Sequence, residues 1–212
     1  MGYNFEIITG PMSCGKTEEL LRRIRRHTIA KRKVKVISPE IDTRAKGDYI
    51  ESRNGLWLDA YKVKASIEIL NIIDKDDEII AIDELQFFDK DIVDVAKKLI
   101  SMNKKIIATG LDLDFKAEPF GEMATLLAYA DKVDKLTAIC MKCGCDFATR
   151  TQRLIDGKPA DKNSPLIMIG ADETYEARCT KCYELPDKNT PKTKEESSVL
   201  KLLSFARKKS EV

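Results

Sequence analysis

The stretch Gly10-Pro11-Met12-Ser13-Cys14-Gly15-Lys16-Thr17 determines how the rest of the chain is interpreted. Four residues separate its two glycines and Lys-Thr follows, which is the spacing of a phosphate-binding loop. The apolar-leaning run 3–9 before it predicts a β-strand. Behind it, Leu20, Leu21 and Ile24 fall on one face of a helix. A glycine turn before an ordinary helix is the alternative, but it does not account for Lys-Thr in register with strand and helix.

The loop chemistry predicts a site for a nucleoside triphosphate. Glycines let backbone N–H groups turn toward phosphate oxygens, and the helix N-terminus adds partial positive charge. We expect Lys16 to reach the β- and γ-phosphates and the Thr17 hydroxyl to ligate Mg²⁺. Cys14 lies inside the loop, where it is either an oxidation-sensitive thiol or a buried and inert one.

Composition indicates a soluble globular protein. The chain has 212 residues, 43% hydrophobic and 34% charged, with a formal net charge of +2. That charge is too small to indicate nucleic acid or a membrane as a partner. The strand-like beginning and the lack of a long apolar segment indicate that there is neither a signal peptide nor a membrane span. We therefore expect a cytoplasmic protein. His27 is the only histidine, which excludes a histidine-based triad elsewhere.

Apolar runs that alternate with helical patterns predict an α/β fold, a P-loop NTPase-like parallel sheet flanked by helices, with a small C-terminal zinc-binding lobe. The predicted strands are 3–9, 34–38, 78–82, 105–109 and 132–139. The predicted helices are 17–33, 66–73, 91–103 and 121–130. The polar segment 39–60 predicts a loop or a hairpin. The predicted divisions are a P-loop core at 1–139, a cysteine-bearing lobe at 140–185 and a disordered tail at 186–212.

Two carboxylates end the predicted strand 78–82. In proteins with a phosphate-binding loop, an acidic residue at such a strand end holds Mg²⁺ opposite the loop threonine, usually through water. Asp83 is the candidate for that role, and Glu84 is the candidate to accept a proton from an attacking hydroxyl. The alternative is that both residues merely end the strand and cap the next turn.

Cysteine spacing predicts a structural metal site. Two C-x₂-C pairs, Cys140 with Cys143 and Cys179 with Cys182, lie about 35 residues apart and suit a tetrahedral Zn²⁺ without an open ligand position. Cys145 is a spare thiol that could compete as a ligand. The basic run 22–27 on the first helix is a nucleic-acid or triphosphate surface, or, as we favour, a solvated face or a subunit contact.

Together these motifs resemble the zinc-containing thymidine kinases of the cytosolic type (type II). The matching pieces span about residues 3 to 185 in the family's order. They are the loop 10–17, Asp42-Thr43-Arg44, Asp83-Glu-Leu-Gln-Phe-Phe88, Gly110-Leu-Asp-Leu-Asp-Phe115, Pro119-Phe120-Gly121, Leu136-Thr-Ala-Ile-Cys140, both cysteine pairs and Gly170-Ala-Asp-Glu-Thr-Tyr175.

The resemblance implies a role for each matched position. Glu84 would be the general base on the 5′-hydroxyl of thymidine, and Arg53 would contact phosphate near the reacting group. The implied nucleotide-binding residues are Gly10, Pro11, Met12, Ser13, Cys14, Gly15, Lys16, Thr17, Asp83, Glu84, Leu85 and Gln86. The implied thymidine-contacting residues are Met12, Arg53, Leu111, Phe115, Phe120, Thr151 and Tyr175. Between the cysteine pairs the family forms a lasso whose amides bind the base, with zinc holding its two ends.

The sequence departs from the family pattern at three positions. Leu85 replaces a glycine that commonly follows the glutamate, Cys14 replaces a serine, and Ser52 stands where the family often has an acidic residue or histidine. None of these changes removes a catalytic group. We expect Leu85 to narrow the space beside the base and so to affect nucleoside selectivity.

The sequence thus predicts an ATP-dependent thymidine kinase that uses Mg²⁺ and carries structural Zn²⁺, and the resemblance implies a homotetramer. The residues alone support only an NTP-dependent phosphotransferase or NTPase with zinc. One alternative is a zinc-lidded nucleoside monophosphate kinase, although its lid would be inserted mid-chain. The other is a nucleic-acid-binding ATPase, whose zinc segment we would expect to be basic and aromatic. Segment 156–183 instead mixes charges.

Overall fold

A computed structural model of the protein describes residues 4–41, 48–52, 55–166 and 173–186. Its strands are β1 (Phe5–Thr9), β2 (Val34–Pro39), β3 (Tyr49–Glu51), β4 (Trp57–Asp59), β5 (Tyr61–Val63), β6 (Ile79–Ile82), β7 (Lys105–Gly110), β8 (Lys132–Lys135), β9 (Arg150–Ile155), β10 (Lys158–Pro159) and β11 (Glu173–Arg178). Its helices are α1 (Lys16–Ile29), α2 (Glu68–Ile72), α3 (Ile92–Ser101) and α4 (Met123–Tyr129). Within this part of the chain, no helix is long and apolar enough to cross a membrane.

The centre of the fold is a six-stranded sheet in the order β5-β2-β6-β7-β1-β8, and all its neighbours are parallel. Helix α1 covers one face, where Leu20 and Ile24 pack against the sheet. Helices α2, α3 and α4 cover the other face, with Leu99 and Met123 in the same core cluster. The predicted parallel sheet flanked by helices is therefore confirmed.

Successive strand residues divide between the two faces, as the pleat requires. In β1, Ile7 packs toward α2–α4 and Ile8 toward α1. In β7, Ile106 and Ile107 divide in the same way. Because both faces are covered, the strands appear in the sequence as continuous apolar runs rather than as alternating patterns.

Two predicted ends are wrong by four residues, and the other bounds differ by up to two. Helix α1 ends at Ile29 rather than at residue 33, because Lys31 adopts a left-handed conformation with φ 59°. Strand β8 ends at Lys135 rather than at residue 139. Beyond Lys135 the chain leaves the sheet, and Ala138 pairs with Ala148 instead.

The segment from residue 39 to residue 60 contains the hairpin that was one of its two predicted forms. Strands β3 and β4 pair antiparallel, and Tyr49 meets Trp57 edge-on at 6.1 Å. Strand β5 follows at once and forms one edge of the sheet, which the sequence reasoning did not predict. Residues 42–47 and 53–54, including Asp42-Thr43-Arg44 and Arg53, lie outside the described residues.

The cysteine-bearing segment contains a second sheet, with β9 between β10 and β11 and all pairs antiparallel. The sequence reasoning placed no strands here. Part of the predicted lasso, residues 167–172, and the tail from residue 187 onward lie outside the described residues.

Candidate active site

The loop 10–17 lies between β1 and α1, at the carboxyl edge of the parallel sheet. Gly10 and Gly15 have φ values of +139° and +86°. At Gly10 a Cβ would collide with the carbonyl oxygen of Leu136 and would lie 2.9 Å from Cys14 Sγ. Glycine is thus required on conformational grounds at both positions and on steric grounds at Gly10, and the loop curls at the N-terminus of α1 as a phosphate-binding loop does.

The lysine of the loop is turned inward. Lys16 Nζ donates to the carbonyl oxygens of Pro11, at 2.7 Å, and Gly10, at 3.2 Å. Its ammonium also lies 3.8 Å from Cys14 Sγ. Burial nevertheless raises the pKa of the Cys14 thiol above its usual value, and the nearby Lys16 charge only partly opposes this effect. The thiol is therefore protonated at neutral pH, which fits the inert alternative for Cys14.

Asp83 ends strand β6 and joins three segments. Thr17 Oγ1 donates to Asp83 Oδ2 at 3.4 Å, which places the loop threonine opposite this carboxylate as the sequence predicted. Thr109 Oγ1 donates to Oδ1, and the Glu84 backbone N–H donates to the same oxygen at 3.1 Å. Asp83 is 1% exposed, so a fixed, buried carboxylate lies beside the start of α1. Hard oxygen ligands of this kind suit Mg²⁺, held directly or through water.

Glu84 has an unusual backbone conformation for a residue with a side chain. Its φ of 53° and ψ of 50° lie in the left-handed region, and the side chain is buried. Gln86 Nε2 donates to Glu84 Oε2, while Gln86 Oε1 accepts the Leu111 backbone N–H at 2.9 Å. Because a backbone N–H can only donate, Leu111 determines which end of the Gln86 amide faces Glu84.

Leu85 takes part in the apolar core and not in this polar group. It is 2% exposed and belongs to the cluster that packs beneath α3, together with Ile82 and Phe88. The expectation that Leu85 affects nucleoside selectivity stays a prediction.

Several predicted nucleoside contacts lie around the same edge of the sheet. The Met12 backbone N–H donates to Thr151 Oγ1 at 3.1 Å, which links the loop to β9. Phe120 packs edge-on against Phe87, with ring centroids 5.6 Å apart. Both Leu111 and Phe115, from the segment after β7, are buried.

Tyr183 connects the end of the cysteine-bearing segment to the predicted nucleoside contacts. Its hydroxyl donates to the Phe115 carbonyl oxygen at 2.6 Å. Burial, with a contribution from the Asp114 charge, raises the pKa of Tyr183 to about 12. The phenol therefore stays a donor throughout the neutral range.

The sequence reasoning missed Thr109, Tyr183 and Arg153. Thr109 precedes a matched glycine at the end of β7, and this position next to the motif was the available signal. Arg153 stacks on Phe115 and Tyr175, with its guanidinium carbon 5.0 and 5.9 Å from the two ring centroids. Nothing in the sequence distinguishes it from a surface arginine.

The four predicted zinc ligands lie together. The Sγ atoms of Cys140, Cys143, Cys179 and Cys182 are all within 4.8 Å of one another, and Cys145 is not part of this group. Tetrahedral Zn²⁺ with Zn–S bonds of ~2.3 Å needs sulfur atoms about 3.8 Å apart. Cys143 Sγ lies 3.8 Å from Cys179 Sγ, so the spacing of these sulfur atoms fits the ion. None of the six cysteines is in a disulfide.

Ion pairs neutralise two arginines of the basic run 22–27, whereas Arg25 and Arg26 are exposed on the helix. Arg22 pairs with Glu19 at 2.5 Å. Arg23 pairs with Glu6, Glu19 and Asp134 at 2.9, 2.8 and 2.5 Å. These ion pairs fit a charged helix face and give no support to nucleic-acid binding.

A comparison with known protein families bears directly on this site. A family model described as thymidine kinase matches residues 3–183, which include the loop, the acidic strand end and both cysteine pairs. The chain belongs to the thymidine kinase family. As a member of that family it is a kinase, a phosphotransferase, and its four-cysteine group is a candidate structural zinc site.

Proposed function

We propose that this member of the thymidine kinase family transfers the γ-phosphoryl group of ATP to the 5′-hydroxyl of thymidine. The main support is the contact of Thr17 Oγ1 with Asp83 Oδ2 at 3.4 Å, one residue before the buried Glu84. It brings a phosphate-binding loop and a carboxylate that can act as a base to the same edge of the sheet. A phosphoryl transfer needs both, in this proximity.

At the phosphate end, backbone N–H groups of the loop 10–17 would bind the phosphate oxygens. The Lys16 ammonium would exchange its loop carbonyl partners for the β- and γ-oxygens. Thr17 would ligate Mg²⁺, and Asp83 would hold it through water. Bound Mg²⁺ neutralises charge on the phosphates. The remaining residues of the loop 10–17, together with Leu85 and Gln86, complete the proposed nucleotide-binding set.

At the acceptor end, Glu84 would orient the 5′-hydroxyl and take its proton. Gln86 Nε2 donates to Glu84 Oε2 and so fixes the orientation of the carboxylate that would accept this proton. We propose that Arg53, which lies outside the described residues, contacts the transferring phosphate. Electrostatic stabilisation of this kind is the largest contribution in most phosphoryl transfers.

The thymine base would contact side chains from three segments. These are Met12 of the loop, the residues after β7, and two residues of the small sheet, which gives the proposed set Met12, Leu111, Phe115, Phe120, Thr151 and Tyr175. We propose that the kinase core ends at residue 139 and that the zinc-binding lobe begins at residue 140. Structural Zn²⁺ would hold the two ends of the segment that completes the nucleoside site. Ordering a long loop by fixing its ends reduces the entropy lost on binding.

We also propose a homotetramer in the cytoplasm, as the family resemblance implies. A groove of about 410 Å³ runs between α1 and the β3–β4 hairpin, lined in part by Leu21, Leu56 and Trp57. Trp57 is 64% exposed, which is unusual for so large a side chain. Light scattering coupled to size exclusion measures the mass, and a monomer at micromolar concentration would contradict the tetramer.

The proposed reaction is tested with a panel of nucleosides, ATP and Mg²⁺, followed by Glu84→Gln. We expect phosphorylation of thymidine and a fall in kcat of about 10²–10⁴-fold in the variant, the range for loss of a general base. Glu78→Gln is the matched control, because Glu78 is exposed and lies before the opposite end of the same strand. A fall of less than tenfold, with thymidine still bound, would contradict the role of Glu84.

A further inference from the structure

Arg153 is the largest fully buried side chain in the described part of the chain, with 0% of its surface exposed. It lies in β9, the central strand of the small sheet, and is paired in register with Tyr175 of β11. Withdrawing a guanidinium from water costs several kcal/mol unless its contacts compensate. A charged group at such a position therefore calls for an account of what it does.

The guanidinium contacts three separate segments. Its carbon lies 5.0 Å from the ring centroid of Phe115 and 5.9 Å from that of Tyr175. Its Nη1 donates to the carbonyl oxygen of Pro165 at 2.5 Å. One side chain thus connects the segment after β7, strand β11 and the chain that follows β10.

These contacts require the shape of arginine. A guanidinium is flat, so it can stack on aromatic faces and still donate hydrogen bonds from its edge. A lysine ammonium is a compact point charge and provides only one of these two contacts at a time. A methionine would fill part of the space but would leave the Pro165 carbonyl without this donor.

We propose that Arg153 is a positioning residue that holds Phe115 and Tyr175 in place for the planar base of the nucleoside, and with them the chain at Pro165. This proposal rests on the proposed function, since the two rings are assigned there to thymine. Arg153 acts through these rings, and it is not assigned to the reacting atoms.

The test compares Arg153→Met, Arg153→Lys and the control Arg178→Met in the full-length, zinc-loaded protein. Arg178 is a partly buried arginine of the same small sheet, and it pairs with Glu176. For Arg153→Met we expect KM for thymidine to rise at least tenfold. KM for ATP, kcat and the zinc content should stay within twofold of the wild type.

For Arg153→Lys we expect KM for thymidine to be at least fivefold higher than in the wild type, because lysine carries the positive charge but lacks the planar guanidinium. The control should stay within twofold. Full recovery by lysine would overturn the stacking argument. An unchanged KM in Arg153→Met, or equal losses for ATP and thymidine, would overturn the positioning role. If Arg153→Met does not fold, Arg153→Lys decides by the same criteria.

A second readout separates this proposal from the proposed function. Limited proteolysis without any nucleoside should cut the Arg153→Met chain within residues 156–166 at least fivefold faster than the wild type. A wild-type protein that phosphorylates no thymidine would refute the proposed function, yet the cleavage rates would still test whether Arg153 holds this segment. Equal cleavage rates would overturn the inference.

Discussion

Replacing Gln86 by methionine should separate the orientation of the general base from its presence. The Gln86 amide donates to Glu84 Oε2 and accepts the Leu111 N–H at 2.9 Å, and the side chain is 3% exposed. Methionine has a similar length but can replace neither hydrogen bond. Glu84 itself is unchanged in the variant.

The two lost contacts affect different quantities. A hydrogen bond to a charged group contributes about 1.5–3 kcal/mol, and each 1.4 kcal/mol is a factor of ten in rate. We therefore expect kcat to fall about 10- to 150-fold, provided that the bond to Glu84 is fully used in the transition state. The Leu111 N–H, left buried without this acceptor, should lower the free energy of unfolding by about 1–3 kcal/mol.

Gln86→Glu distinguishes the two effects. Its carboxylate still accepts the Leu111 N–H, so any loss of stability would come from charge repulsion and not from an N–H without an acceptor. It also places a second carboxylate against Glu84, and two such groups in contact cannot both be ionised without strong repulsion. At neutral pH kcat should therefore fall further than in Gln86→Met.

Steady-state kinetics and urea unfolding measure both quantities. Gln152→Met is the matched control, since the Gln152 amide is also buried and bonds the backbone of Glu184 rather than Glu84. It should lose stability and keep kcat within threefold. A folded Gln86→Met protein with kcat within threefold of the wild type would refute the orienting role of the amide.

Two further predictions concern the zinc-binding lobe and the acid stability of α1. Cys179→Ser should lower the zinc content measured by atomic absorption and weaken thymidine binding while ATP binding is kept, because structural zinc contributes several kcal/mol of local folding free energy; equal losses for both ligands would contradict this separation. A hydrogen bond from Arg22, assisted by Arg23, lowers the pKa of Glu19 from 4.5 to about 2. A lowered pKa stabilises the folded state above the usual value, and this contribution is lost as the pH falls from about 4.5 to about 2. In urea unfolding, wild type and Glu19→Gln should differ by less than about 1 kcal/mol at pH 6, since the pair is partly solvated, and should converge by pH 2; a difference independent of pH would refute the assignment.

Local patterns carried most of what could be predicted about the fold. The loop 10–17, the strand that ends at Asp83 and the two cysteine pairs are each contiguous, so spacing alone reveals their chemistry. The short strand β5 was missed because three residues are too few to show a period. Helix α1 ends where Lys31 adopts a left-handed conformation. A glycine at this position would have been a recognisable signal for the helix end, but a lysine is not.

Contacts between distant segments could not be predicted in this way. Thr109 reaches Asp83 because β6 and β7 are neighbours in the sheet, and strand order is not encoded in any one segment. Arg153 would be assigned to the surface by its type, since arginine is rarely fully buried. Its burial is explained by contacts with Phe115, Tyr175 and Pro165, which come from different parts of the chain.

The left-handed backbone at Glu84 has a consequence for how this protein would evolve or be engineered. A non-glycine residue in that region costs on the order of 1–3 kcal/mol, whereas glycine or asparagine adopts it readily. Selection for thermal stability alone would therefore favour Gly or Asn at position 84 and would remove the proposed base. Under the proposed function, the backbone cost at position 84 and the need for a carboxylate there therefore favour different residues.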